Sequence, residues 1–313
     1  MNLGELKHKL RPVAEFVDPN RRVRNVFRQI RKARSVAVSA SEGNEAIKRA
    51  LSMRSNLLVG RIGSVEMNVI NRYLLRRQLP LISYAGPLRH QVQLNAGVFP
   101  ASDADLDKFA KFYLECVDDI DIFCAWFIRG ETRIIREHKF DAVTVLPALE
   151  AFSFEAPWSL NLRDKRILLV TPFVDTIKQQ LDRLSLVWGY DLFPGVEFSF
   201  VRYPHSQLLM SDDRPARHWF DILGEVQAQI DDAPFDIGFV GAGAATLPLA
   251  RYMKTIGKTG IAMGGALQLL FGVRGRRWDT DPRFSRYFNQ HWTRPLEQET
   301  PPKFRYIESG AYW

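Results

Sequence analysis

The sequence predicts an α/β protein in which a mostly parallel sheet is flanked by helices. Short apolar runs of strand character repeatedly end at glycine or proline and pass straight into segments of helical periodicity. The clearest case is 236–278, DIGFVGAGAATLPLARYMKTIGKTGIAMGGALQLLFGVRGRRW. There Ile237 to Val240 read as a strand, Gly241-Ala242-Gly243 as a turn, Leu247, Leu249, Ala250, Met253 and Ile256 as a helix, and Gly260 to Met263 as a second strand. Strands separated by helices rather than by hairpin turns make parallel neighbours.

The chain has 313 residues, 46% hydrophobic and 25% charged, enough for a sizeable core in one large or two modest domains, and in the range of soluble globular proteins. Three segments are expected: 1–43, a basic helical N-terminal segment; 44–150, a first α/β half; and 151–313, a second half with a C-terminal tail. Cys116 and Cys124 lie in apolar surroundings without a CxxC pair, which reads as free thiols in a reducing compartment and no structural zinc. No signal sequence and no apolar run near the 18 or so residues of a spanning helix is evident, so a cytoplasmic location is expected.

Residues 1–34 hold ten Lys and Arg against three acids, so most of the net charge of +8 lies there. Within 21–34, RRVRNVFRQIRKAR, Val23, Val26, Phe27 and Ile30 follow helical spacing and seven basic residues occupy the rest. Such a helix either packs its apolar stripe on the body or lies on an anionic membrane surface. Interleaved aromatics and a nucleic-acid module are lacking, so no nucleic-acid partner is expected.

In the first half, a helix near Asn44 to Met53 precedes NLLVGRIGSVEMNVINRYLLRR. Here Leu57 to Val59 read as a strand, Gly60 to Gly63 as a turn, and a helix starts near Ser64 with Met67, Ile70, Leu74 and Leu75 inward. The structural reading makes Ser64 an N-cap and Glu66 a dipole-favourable first-turn acid. The functional reading aims Arg61, Ser64 and Glu66 at a ligand beyond the carboxyl end of the strand. Residues 80–101 read as a long loop, Asp103 to Val117 as a helix, and Ile120 to Phe127 and Ala142 to Leu146 as strands. The aperiodic stretch 147–164 connects the halves.

The second half repeats the pattern. Ile167 to Val170 form a strand closed by Pro172, and Asp175 or Thr176 caps the next helix. Glu197 to Arg202 form a strand, Arg214 to Ile230 a helix, and then comes the glycine-rich unit. Beyond Trp278 the Pro- and aromatic-rich tail reads as a coil wrapping the body.

Glycines at a strand-to-helix turn bring the backbone close to a ligand, and the free N–H groups of the helix favour an anion. Between Ile237 and Trp278 there are six cations, Arg251, Lys254, Lys258, Arg274, Arg276 and Arg277, and no Asp or Glu, which suits a phosphate-bearing ligand. Thr246 stands where a third glycine of GxGxxG would be, and no acid follows at the ribose-binding distance. Both points argue against NAD, and the missing acid also weakens a methyltransferase reading.

Taken together, GRIGSVEMNVINRY, KRILLVTPFVDTIKQQ and VGAGAATLPLARYMKTIGKTGIAMGGALQLLFGVRGRRW resemble the GT-D type bacterial glycosyltransferases over about 45–313. The resemblance implies a Rossmann-like fold and transfer of a hexosyl unit from a nucleotide diphosphate sugar, a UDP-sugar above all, to a glycan, lipid-linked or protein acceptor in surface polysaccharide or glycoconjugate synthesis. The family's R-F-G-D-G-E strand end maps onto Arg61, Gly63, Ser64, Val65 and Glu66, with Ser64 in place of the Asp. It implies Glu66 as the catalytic residue and as a ligand of Mn²⁺ or Mg²⁺, a metal put in doubt because a hydroxyl replaces a carboxylate. Arg61, Gly63, Ser64, Gly241, Gly243, Arg274 and Arg276 are the expected donor-binding residues. The alternatives are a nucleotide-binding protein without transfer activity and an S-adenosylmethionine-dependent methyltransferase.

Overall fold

A computed structural model of the chain describes residues 36–205 and 218–313. The expectations for 21–34 and for the start of the helix at Arg214 fall outside the described residues. Seven strands form one sheet: β1 (Leu58–Gly60), β2 (Ile122–Ala125), β3 (Ala142–Val145), β4 (Arg166–Thr171), β5 (Glu197–Arg202), β6 (Ile237–Val240) and β7 (Thr259–Ala262). Their order is β3-β2-β1-β7-β6-β4-β5 and every pair is parallel. The chain is therefore α/β with a Rossmann-like parallel sheet, as its sequence predicts.

The strands read as unbroken apolar runs because both faces of the sheet are covered. Side chains alternate, so Leu58, Phe123, Leu168 and Val240 enter one core while Val59, Ile122, Leu169 and Phe239 enter the other. The helices are α1 (Ala40–Met53), α2 (Ser64–Arg76), α3 (Gly86–Gln91), α4 (Asp103–Asp118), α5 (Glu131–Glu137), α6 (Val174–Gln180), α7 (Leu184–Trp188), α8 (Trp219–Asp231), α9 (Thr246–Thr255) and α10 (Gly265–Leu270). The first core takes α2, α4, α8 and α9 through Ile70, Phe109, Trp219 and Leu247. The second takes α1, α6, α7, α10 and the tail through Ile47, Ile177, Val187, Phe271 and Trp292.

Several details differ from expectation. Helix α3 interrupts the loop 80–101, α5 lies between β2 and β3, and α10 follows β7 at once. Each has at most seven residues, too few turns to display a 3.6-residue period. Gly63, not Ser64, is the N-cap of α2. Neither Asp175 nor Thr176 caps α6: Glu299 of the tail, 2% exposed, accepts from the N–H groups of Asp175 (2.7 Å) and Thr176 (3.0 Å). The acid comes from more than 120 residues away, which local sequence cannot reveal.

The charge imbalance of 237–278 is also partly answered from a distance. Arg251 pairs with Asp119, and Lys254 with Asp121 (2.8 Å), at the end of the sheet opposite the glycine turns. These two cations tie α9 to the α4–β2 connection and leave the phosphate argument to the others.

Candidate functional site

The helices leaving adjacent strands diverge at the carboxyl edge of the sheet. Helix α2 after β1 and α9 after β6 pack on the first face, whereas α10 after β7, which lies between β1 and β6, packs on the second. Divergence of neighbouring connections opens a crevice, the usual ligand position in open parallel sheets. Two adjoining cavities fill it. The larger, about 890 Å³, spreads over the ends of β1, β2, β3 and β7. The smaller, about 70 Å³, lies beyond the ends of β4 and β6 under the tail. Arg61, Asn95, Gly243, Gly265 and Tyr312 line both.

Arg61 is at the junction. Its guanidinium lies over the Trp126 ring, 4.9 Å from the centroid, and its buried Nε and Nη1 have no hydrogen-bond partner among the described residues. A buried donor without a partner costs about 1–3 kcal/mol, a cost tolerated where the donor serves a ligand. Gly264 makes the space: at φ 57°, ψ −133° it enters α10 in a conformation that glycine takes readily, and a Cβ would fall where the guanidinium is.

Gly241 and Gly243 form the neighbouring turn. A Cβ on Gly241 would come within 2.8 Å of the Gly264 carbonyl oxygen, and Gly243 is left-handed at φ 56°. The N–H of Ala242 donates to Thr246 Oγ1 (2.9 Å), so the residue in the third-glycine position closes the turn internally. The two turns, after β6 and β7, thus stand back to back beside Arg61.

Glu66 curls back over the start of its own helix. Its carboxylate occupies the space a Cβ at Gly63 would need, and it accepts from its own backbone N–H. It is 7% exposed and lines the larger cavity with Gly63 and Ser64. Burial pushes its pKa up, its own N–H and Arg61 pull it down, and Glu308 pushes it up again. Glu308 belongs to the tail and pairs with Arg277 (3.4 Å), whose guanidinium lies 5.2 Å from the Tyr312 ring centroid.

The structure brings Arg61, Gly63, Ser64, Glu66, Gly241 and Gly243 to one crevice. It places Arg274 and Arg276 elsewhere: Arg274 faces the Phe288 ring at 5.5 Å, and Arg276 donates to the Ser309 carbonyl (2.9 Å) and lines a separate groove. The cause is that 274–277 pairs with the tail, Arg276 N–H donating to Trp313 (2.9 Å) and Arg277 N–H to Ala311 (3.1 Å), which leaves Arg277 facing the crevice. Residues missed from the sequence include Asn95, Trp126 and Glu150. Glu150 lines the larger cavity, and burial pushes its carboxyl up to about 7, with Arg283 pulling down and Asp281 pushing up.

As a divalent-metal site the crevice is poorly furnished. The β1 turn supplies one carboxylate, Glu66, with the Arg61 cation beside it, and no group of three or more His, Cys, Asp or Glu converges among the described residues. With one carboxylate from the β1 turn, Mn²⁺ or Mg²⁺ held here would take its remaining oxygens from water and the donor phosphates. No described helix is long and apolar enough to cross a membrane.

No family model matches the chain, and no curated protein matches it. A search of solved structures finds one described as the selenomethionine-substituted structure of domain of unknown function 1792, at 11% identity and a TM-score of 0.45, covering 88% of this chain and 96% of that one.

Proposed function

We propose that the protein is a nucleotide-sugar-dependent glycosyltransferase whose donor diphosphate lies in the crevice between β1, β7 and β6. The observation that carries this reading is the Arg61 guanidinium, buried with two donor atoms unpartnered among the described residues and flanked by the glycine turns at 241–243 and 264–265. Cleavage of the bond between the anomeric carbon and the diphosphate oxygen leaves the electron pair on that oxygen. Fixed donors in a site shielded from water stabilise such charge strongly. The acceptor hydroxyl oxygen forms the new bond to the anomeric carbon.

The released proton needs an acceptor. Glu150 is suited to it because a carboxyl poised near 7 is effective in general acid–base work at neutral pH, and it shares the larger cavity with Arg61 and Glu66. Glu66, folded against Gly63 and near enough to Arg61 for their charges to couple, lines the larger cavity, the space assigned to the sugar. With Arg274 and Arg276 directed away, Arg277 and Arg283 are the cations that line the crevice with Arg61. The acceptor is a glycan, lipid-linked or protein hydroxyl, and the basic stretch 21–34 fits operation beside an anionic membrane.

Nucleotide binding without transfer is a second reading, favoured by the single carboxylate in the β1 turn, where Ser64 stands two residues before Glu66. Incubation with a panel of UDP- and GDP-sugars separates the two. Release or transfer of sugar supports the transferase, and tight binding without turnover of any donor supports the second.

A further inference from the structure

The smaller cavity draws on the ends of β4 and β5 and on Trp313, which the larger one does not use. One wall is aromatic: Phe173, His205 and Trp313 contact one another with ring centroids 5.6–6.0 Å apart, and Phe173 and Trp313 are buried. Thr171 and Phe173 come from the end of β4, Tyr203 and His205 from beyond β5, and Trp313 from the tail. These rings and the ends of β4 and β6 line a slot with one aromatic side.

The slot also holds polar atoms without partners among the described residues. Gln268, 3% exposed, donates through Nε2 to the Tyr312 carbonyl (2.7 Å), and this fixes its amide so that Oε1 is left over as an acceptor. His205 Nε2 is buried without a hydrogen-bond partner among the described residues; burial lowers the pKa of the ring, and the Glu299 backbone and carboxylate raise it in part. Arg61 adds Nε and Nη1 at the mouth. Three residues from separate segments therefore present hydrogen-bonding atoms to one aromatic slot, where leaving a buried polar group unsatisfied costs about 1–3 kcal/mol apiece.

We infer that this slot is the nucleobase subsite of the donor, taking the flat heteroaromatic ring against Phe173, His205 and Trp313 and its polar edge on Gln268 and His205. The inference rests on the proposed donor reading and divides the crevice. The base occupies the smaller cavity, the diphosphate spans the shared residues Arg61, Gly243 and Gly265, and the sugar and acceptor meet in the larger cavity. A base has a π-face and an edge of donors and acceptors, which is what the slot offers; base–aromatic stacking contributes about 1–3 kcal/mol.

The test is isothermal titration of the full chain with inorganic pyrophosphate, UDP, GDP, uridine and guanosine, repeated for Gln268→Leu and His205→Ala after their melting temperatures are checked. A matching diphosphate should bind at least about tenfold more tightly than pyrophosphate. Each variant should erase most of that margin and leave pyrophosphate affinity unchanged; UDP and GDP decide which base fits. Equal binding of pyrophosphate and both nucleotides, or a margin untouched by both variants, overturns the subsite. Nucleoside binding that the variants abolish, with no pyrophosphate binding, keeps the slot and rejects the diphosphate reading. Binding of none of the five rejects both.

Discussion

Substituting Gly264→Ala should damage both folding and ligand binding, and the two effects can be separated. At φ 57°, ψ −133° an alanine adopts a sparsely populated conformation that costs about 1–3 kcal/mol. In addition, the new Cβ would occupy the position of the Arg61 guanidinium, so the side chain must move away from the glycine turns. Gly257→Ala is the control: φ there is 79°, yet nothing lies within 4 Å of its Cβ and it closes α9 at the far end of the sheet, so it should lose about 1–2 kcal/mol and bind as before. Thermal unfolding and pyrophosphate titration on both variants read the two terms. We expect similar losses of stability and a fall in affinity of about tenfold or more only for Gly264→Ala, equal to about 1.4 kcal/mol. Equal affinity in the two variants would refute the placement of Arg61 as a ligand group.

Glu66→Gln should leave the melting temperature nearly unchanged, because losing a first-turn charge costs about 0.3–1 kcal/mol and burial already disfavours the ionised form; turnover should fall about tenfold or more, and a normal rate would return Glu66 to a capping role. Glu131, 0% exposed, accepts from the N–H groups of Trp126 and Ile128 (3.0 Å each), and burial pushes it up to about 7. A raised carboxyl stabilises fully below its unfolded value and loses that contribution as pH rises through the folded one. Wild type should thus lose about 3 kcal/mol relative to Glu131→Gln between pH 4.5 and 8, and a difference in unfolding free energy that is flat with pH would show Glu131 ionises normally. Salt-sensitive binding to anionic vesicles should vanish when residues 1–34 are deleted, while turnover with a soluble acceptor persists; vesicle binding by the truncated chain would place the contact elsewhere.

The sheet was legible because each strand pairs an apolar run with a turn residue. Glu197–Arg202 and Ile237–Val240 agree end to end, and Gly257 closes α9 with φ 79°. The β1 and β6 turns were legible for the same reason, being local sequence at strand ends. What the sequence hides is carried by contacts across the chain. Arg276 and Arg277 are adjacent and chemically alike, and only pairing of 276–277 with 311–313 sends one outward and one into the crevice. Glu299 capping α6 and Asp119 holding Arg251 have no periodic signature. Glu150 lies in the aperiodic connection between β3 and β4, where nothing local distinguishes a cavity carboxylate from a solvated one.

The most direct measurement is consumption of UDP- and GDP-sugars by wild type and by Arg61→Met, which keeps the apolar stem and removes the guanidinium. Removing a charged donor to the departing diphosphate should cost about 2.7–4 kcal/mol of barrier, on the order of a hundredfold or more in rate. The account therefore expects turnover of at least one donor by wild type and its near loss in Arg61→Met, with the fold retained in both. Donor turnover undiminished in Arg61→Met, or no donor bound or consumed by wild type, would contradict it.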